Sequence, residues 1–93
     1  NTTLWISLPD KPGKLGEITT SLGSHKLNIS SVEMKEKTKD YINFRFNLII
    51  RDLKNFTNFI SELKQKDIKF KIIRHEEKRN AFTQKIFKYF KKN

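Results

Sequence analysis

The ten residues from Tyr41 to Ile50 constrain the fold of this 93-residue chain more than any other stretch. Apolar and polar side chains alternate there with a period of two, which is typical of a strand with one buried and one exposed face. The apolar phase consists of Ile42, Phe44, Phe46, Leu48 and Ile50. The stretch therefore predicts a strand in an antiparallel sheet that is covered on one side only.

The segments around this strand complete a recognisable order. We predict a strand at 3–8, a helix at 13–24, a strand at 27–37 with a bulge near Ser30-Ser31, a helix capped by Asp52 and a strand from Ile68. The order β-α-β-β-α-β predicts an α+β ferredoxin-like sandwich, with a four-stranded antiparallel sheet and two helices on one face. Right-handed crossovers place the first and third strands in its centre.

The last eighteen residues form a separate segment. We divide the chain into a domain at 1–75 and a basic tail at 76–93, and we expect the whole to be a fragment of a longer protein because it begins with Asn1. Helical spacing predicts an amphipathic C-terminal helix that Asn80 caps. Its apolar side would carry Phe82, Ile86, Tyr89 and Phe90, opposite several lysines.

A formal charge of +10 favours an anionic partner, first nucleic acid and then a membrane surface. A genome biased towards Lys, Asn, Ile and Phe codons would explain the same composition. The chain has no cysteine, so disulfides and thiolate metal sites are excluded. No apolar run approaches the roughly 20 residues of a membrane span. We expect a cytoplasmic protein and no membrane partner.

The sequence contains no recognisable catalytic set. His25 and His75 are the only histidines, and neither lies at catalytic or metal-binding spacing from carboxylates. Phosphate-binding and dinucleotide-binding loops are also missing from the sequence. We therefore expect capping or solvated histidines, and a fragment that is not an enzyme and has no cofactor or metal.

An RNA-binding surface is one functional hypothesis. The open sheet face should present Trp5, Tyr41, Arg45, Lys69 and Lys71, an aromatic and basic mixture that could stack bases and contact phosphates. The tail would add Lys85 and Lys88. The RNA-recognition-motif family shares this element order, but the third strand lacks its glycine-rich pattern. An exposed tryptophan on a sheet equally suits a dimer contact.

A small-molecule site is the second hypothesis. The turn Asp10-Lys11-Pro12-Gly13 leads into a helix N-terminus, where free N–H groups favour a carboxylate ligand. We expect Asp10 to cap this helix and Asn28 to lie close to the turn. The alternative is a tight turn with a glycine required only for packing.

The run from Asp10 to Ile18, DKPGKLGEI, followed by Leu27-Asn28-Ile29, resembles the signature of ACT domains. Together with Asp40-Tyr41 and the stretch from Arg51 to Ile60, it is similar to the C-terminal ACT domain of RelA/SpoT-type (p)ppGpp synthetase/hydrolases, most of all the bifunctional alphaproteobacterial kind. The tail at 76–93 extends beyond the usual end of that family's domain.

This resemblance implies a non-catalytic regulatory module of a GTP pyrophosphokinase, whose active sites lie N-terminal to the fragment. Such modules sense starvation in the stringent response by contacting ribosomal RNA or by binding an amino acid between the turn and a neighbouring subunit, so a homodimer is expected. The implied ligand residues are Asp10, Lys11, Pro12, Gly13, Leu15, Asn28 and Ile29. A dimerisation module and an amino-acid sensor of another metabolic enzyme are the alternatives.

Overall fold

A computed structural model describes residues 1–75 of the chain. The predicted helix and lysines of the 76–93 tail lie outside the described residues, and the division of the chain at residue 75 stays a prediction. The elements are β1 (Thr2–Pro9), α1 (Lys14–Ser24), β2 (Asn28–Lys37), β3 (Tyr41–Ile49), α2 (Leu53–Gln65) and β4 (Lys69–His75).

The four strands form one antiparallel sheet in the order β2-β3-β1-β4. The ferredoxin-like α+β fold is therefore confirmed, with β1 and β3 in the centre as predicted. Ile6 in β1 pairs with Phe44 on one side and with Phe70 on the other. Both helices pack on the same face of the sheet, and no element of the described part of the chain covers the opposite face.

The hydrophobic core lies between the helices and the two central strands. Its largest fully buried side chains include Phe46 of β3 and Phe59 of α2. The core consists of Leu4, Ile6, Leu8, Ile18, Leu22, Leu27, Phe44, Phe46, Leu48, Phe56, Phe59 and Leu63. The alternation in β1 and β3 thus places every second side chain against the helices, because successive strand residues point to opposite faces.

Helix α2 begins as predicted. Asp52 has an extended backbone, and its Oδ1 accepts a hydrogen bond at 3.0 Å from the backbone N–H of Lys54. This bond satisfies one of the amide groups that the first helical turn leaves without an intrahelical partner. Asp52 therefore fixes the point at which the chain leaves β3 and crosses the sheet.

Strand β2 is an edge strand with two irregularities. The register against β3 shifts between Ile29 and Ser31, which confirms the predicted bulge, and shifts again between Met34 and Glu36. Each bulge adds one residue to β2, so apolar residues on both sides of it stay on the helix-facing side. The helices do not cover this edge: Ile29, Val32 and Met34 are all exposed, Met34 by 62%.

Candidate functional site

The turn between β1 and α1 has a defined backbone structure. The N–H of Asp10 donates to the carbonyl of Asp40 at 2.9 Å, and the N–H of Lys11 donates to the carbonyl of Pro9 at 2.8 Å. Gly13 then adopts a left-handed conformation, with φ of 87°. A residue with a β-carbon adopts this conformation only at a steric cost, so the turn requires glycine here.

The prediction that Asp10 caps α1 is wrong. Gly13 occupies the N-cap position, and no side chain among the described residues caps this helix. Pro12 consequently lies in the turn, outside the helix. The Asp10 carboxylate instead forms an ion pair with Lys37 at 3.4 Å, which links the turn to the end of β2. The first amide groups of α1 are therefore left without a side-chain acceptor, in a position where an anion is favoured.

The surroundings of this helix end are open. Among residues 1–75, a β-carbon placed on Gly13 or Gly16 would meet no atom of another element within 4 Å. Leu15, in the first turn of the helix, is exposed. Neither glycine is therefore required by packing within one chain, and the space beside the backbone is free for a ligand or a second molecule.

The prediction that Asn28 lies close to the turn is wrong for a single chain. Asn28 and Ile29 pair with Ile49 and Leu48, whereas the turn follows the pair of Pro9 and Tyr41 at the other end of the sheet. Eight residue steps of β3 separate the two ends, which amounts to about 27 Å. Helix α1 carries the chain from one end to the other, so the predicted ligand residues form two separate groups.

The residues of the RNA hypothesis do come together. Trp5 lies directly opposite Arg45 on β3 and opposite Lys71 on β4, and all three side chains belong to the helix-free face. Lys69 pairs with Ser7 one row further along the same face. The Nε atom of Arg45 is buried and has no hydrogen-bond partner among residues 1–75. Lys85 and Lys88 lie outside the described residues.

Acidic residues occupy the other side of this open face. Glu33 pairs in register with Arg45, and Glu36 accepts a hydrogen bond from the Asn43 amide at 3.3 Å. The hydrogen bond from Lys35, at 2.8 Å, and the positive charge of Lys35 lower the pKa of Glu33, with a smaller contribution from Arg45. The face is therefore basic towards β4 and mixed in charge towards β2.

The structure also assembles a polar cluster that the sequence did not reveal. The hydroxyl of Ser21 on α1 donates to Oε2 of Glu62 on α2, and His25 Nε2 lies 3.3 Å from Glu62 Oε1. Lys66 Nζ approaches the same carboxylate at 3.5 Å. His25 is the C-cap residue of α1, and its ring lies edge-on to Phe59. Sequence separation of about forty residues leaves no local signal for such a contact.

This cluster does not have the order of a nucleophilic catalytic triad. A triad places the histidine between the hydroxyl and the carboxylate, so that the ring removes the hydroxyl proton. Here the Glu62 carboxylate lies in the middle and contacts both Ser21 and His25. The arrangement suits an acceptor that joins two helices rather than an activated nucleophile.

No group of three His, Asp or Glu side chains among residues 1–75 could hold a metal ion. None of the helices among these residues is long and apolar enough to cross a membrane.

The fold and the glycine turn define a ferredoxin-like module with an open helix N-terminus beside its first strand. Residues 1–68 match the family model of the ACT domain, and the chain belongs to this family. ACT domains are regulatory and non-catalytic, typically sense ligands, and commonly bind amino acids and dimerise. No curated protein matches the chain.

Several solved structures share the fold. A protein of Bacteroides thetaiotaomicron is 25% identical, with a TM-score of 0.58, over 76% of this chain and 45% of its own, so the chain spans less than half of that relative. The ACT domain of GTP pyrophosphokinase from Chlorobium tepidum is 15% identical over 77% of this chain and 95% of its own, with a TM-score of 0.61. Prephenate dehydratase from Staphylococcus aureus is 22% identical over 77% of this chain and 29% of its own, with a TM-score of 0.62.

Proposed function

We propose that this chain is the regulatory ACT domain of a (p)ppGpp synthetase/hydrolase and that it binds an amino acid. The observation that carries the amino-acid site is the uncapped N-terminus of α1 behind Gly13, with open space beside Gly13 and Gly16. The ligand carboxylate would accept from the first amide groups of the helix, where the helix dipole favours a negative charge. The (p)ppGpp assignment rests on the sequence resemblance.

The second half of this site would come from a second copy of the chain. Within one chain, Asn28 lies at the far end of the sheet from the turn. Strand β2 forms one edge of the sheet described for residues 1–75, and its helix-facing residues Ile29, Val32 and Met34 are exposed. Antiparallel pairing of two β2 edges about a two-fold axis would bring Asn28 of one copy towards the Lys37 end of the other, where Asp10 and the turn lie.

Binding is tested by NMR titration of the isotopically labelled chain with a panel of amino acids. We expect shifts at Lys11 to Leu15 and at Asn28 with one amino acid. Leu15→Glu should abolish them, because a carboxylate in the first turn suits the helix dipole but repels the ligand's carboxylate. Leu15→Gln is the matched uncharged control and should retain binding. If no amino acid produces these shifts, the amino-acid proposal is wrong.

Mixing two variants tests the shared site. Leu15→Glu damages the turn, whereas Asn28→Ala damages only the part that the second copy supplies. Each variant alone should lose binding, but an equimolar mixture should regain about a quarter of the wild-type sites, since half of the dimers then contain one intact site of two. Unchanged binding by Asn28→Ala would contradict the two-copy site.

The role of the parent enzyme is tested in the longer chain that contains this domain. Adding the amino acid should shift the ratio of (p)ppGpp synthesis to (p)ppGpp hydrolysis, and Leu15→Glu should remove that shift. A parent chain with neither activity would contradict the (p)ppGpp assignment while leaving the amino-acid site intact.

Contact with ribosomal RNA is a second candidate function. The row of Arg45, Trp5 and Lys71 supports it, whereas Glu33 and Glu36 on the same face count against it. Lys69→Glu with Lys71→Glu should then abolish binding of a ribosomal RNA stem-loop, and wild-type binding should weaken steeply with salt. Equal RNA binding by the wild type and the double variant would contradict the proposal that this sheet face contacts RNA.

A further inference from the structure

An apolar groove runs between α2 and β4 on the side of the fold away from the β2 edge. Leu53 of α2 and Ile72, on the helix-covered face of β4, line it and are 52% and 44% exposed. The groove encloses a cavity of about 280 Å³. Its lining residues are Leu53, Phe56, Thr57, Ile60, Ile72 and His75. A contiguous apolar surface of this kind marks a site that another segment or molecule covers.

The chain itself leads into this groove. Strand β4 ends at His75, and the His75 ring stacks on Phe56 with ring centroids 5.9 Å apart and an angle of 4° between the planes. His75 Nδ1 also lies 2.7 Å from the hydroxyl of Thr2, which ties the end of β4 to β1. The segment after β4 is therefore attached to a residue, His75, that lines the groove and is held there by Phe56 and Thr2.

The sequence that follows has the pattern needed to fill it. Phe82, Ile86 and Phe90 recur every four residues, a spacing that predicts one apolar side of a helix, with lysines on the other. A helix that follows the predicted Asn80 cap and includes Phe90 would be up to about 18 Å long, close to the length of the thirteen-residue α2. Five residues, 76–80 with the cap included, are left for the reversal of the chain, within the usual length of a connection between elements.

We infer that residues 76–93 pack onto the α2/β4 groove of their own chain, with Phe82, Ile86 and Phe90 against Leu53, Phe56 and Ile72. Attachment at His75 favours this occupant over a second copy, because a short tether gives an effective concentration on the order of millimolar. The lysines then face solvent and add positive charge beside the β4 edge. This docking does not depend on the amino-acid site, which lies at the turn before α1.

Paramagnetic relaxation in the whole chain tests this contact. Because the sequence has no cysteine, Lys88→Cys supplies a single attachment point for a nitroxide label. Docking in the same chain should remove most of the amide signal intensity at Thr57 and Ile72 and leave Glu33 and Glu36, on the opposite edge, nearly unchanged. Weak broadening spread evenly over the sheet would overturn the proposal.

Two controls separate the alternatives. Replacing Phe82, Ile86 and Phe90 together by Ser should restore the signals of Thr57 and Ile72, whereas Phe87→Ser, off the predicted apolar side, should not. A mixture of labelled chains without ¹⁵N and unlabelled chains with ¹⁵N reports contacts between copies. Broadening at the groove in that mixture would mean that a second copy occupies it and would overturn docking within one chain.

Discussion

The hydroxyl of Ser21 on α1 donates a hydrogen bond to Oε2 of Glu62 on α2, and this contact joins the two helices beside the core. The bond from Ser21 lowers the pKa of Glu62 from its ordinary value of 4.5, with burial acting in the opposite direction and His25 and Lys66 adding to the lowering. Ser21 is buried and the Glu62 side chain is 26% exposed, so solvent only partly screens the interaction.

This pair predicts a pH dependence of stability. A carboxylate whose pKa is lower in the folded state stabilises the fold above its unfolded pKa and loses that effect as the pH falls through the folded pKa. The melting temperature of the wild type should therefore fall more than that of Glu62→Gln as the pH decreases from about 6 towards about 3, the range in which carboxyl groups ordinarily become protonated. Ser21→Ala should lower the free energy of unfolding at pH 7 by about 1–2 kcal/mol.

A surface carboxylate provides the control for this experiment. Glu17 is well exposed and forms an ion pair with Lys14 at 3.6 Å, a contact of little energetic value in water. Glu17→Gln should leave the pH profile of the melting temperature unchanged. Equal pH profiles for the wild type and Glu62→Gln would contradict a stabilising role for the Ser21–Glu62 contact.

Gly13 of the turn and Gly16 of α1 should respond to substitution in opposite directions. Gly13→Ala places a β-carbon on a backbone with φ of 87° and should cost about 1–2 kcal/mol of stability. Gly16→Ala adds a methyl group inside α1, where it meets no atom within 4 Å, and should stabilise by about 0.5–1 kcal/mol. Denaturant unfolding of both variants measures these differences.

The same pair separates folding from binding. If the open space beside Gly16 receives the amino-acid ligand, Gly16→Ala should weaken binding even though it stabilises the fold. If Gly16→Ala changed neither stability nor binding, neither the fold nor the ligand site would require glycine at position 16.

The order of elements could be predicted because each element carries its own local period. Phe44, Phe46 and Leu48 alternate, and Phe56, Phe59 and Leu63 follow helical spacing, so their faces are fixed before any tertiary contact forms. The Asp52 cap is equally local, since its partner Lys54 is two residues away. Such features depend on neighbouring residues alone.

The site was harder to predict because it depends on backbone geometry and on distance across the sheet. Asp10 has the right chemistry for a cap, but the left-handed Gly13 starts the helix three residues too late for it to serve. Asn28 follows α1 closely in sequence, yet the eleven-residue helix and the segments on either side of it carry the chain to the other end of the sheet, about 27 Å away. The Ser21–Glu62 contact joins residues on different helices, and no spacing rule applies to it.

The Asp52 cap gives a local test of α2. Asp52→Ala removes the acceptor of the Lys54 N–H, and it should lower the free energy of unfolding by about 1 kcal/mol. Asp52→Asn retains a side-chain oxygen and should restore most of that loss. If both substitutions cost the same, the negative charge at the helix N-terminus matters more than the hydrogen bond.

Asn47 on the open face of the sheet anchors the β2 edge by two side-chain hydrogen bonds. The Asn47 amide of β3 donates from Nδ2 to the Ser31 hydroxyl at 2.7 Å, and its Oδ1 accepts from the Thr3 hydroxyl of β1 at 2.8 Å. One side chain thus links three strands, beside the bulge at which β2 changes register. Because β2 pairs with β3 alone in the part of the chain that the structure describes, this link should limit opening of the edge.

Asn47→Ala should therefore act mainly on β2. We expect a loss of about 1–2 kcal/mol in global stability and faster amide hydrogen exchange from Ser31 to Met34, with smaller changes in β4. Asn47→Asp keeps the acceptor for Thr3 but removes the donor to Ser31, so it should reproduce the faster exchange of β2. Exchange that increases equally in β2 and β4 would mean that Asn47 stabilises the sheet as a whole and does not selectively hold the edge that we propose for dimer pairing.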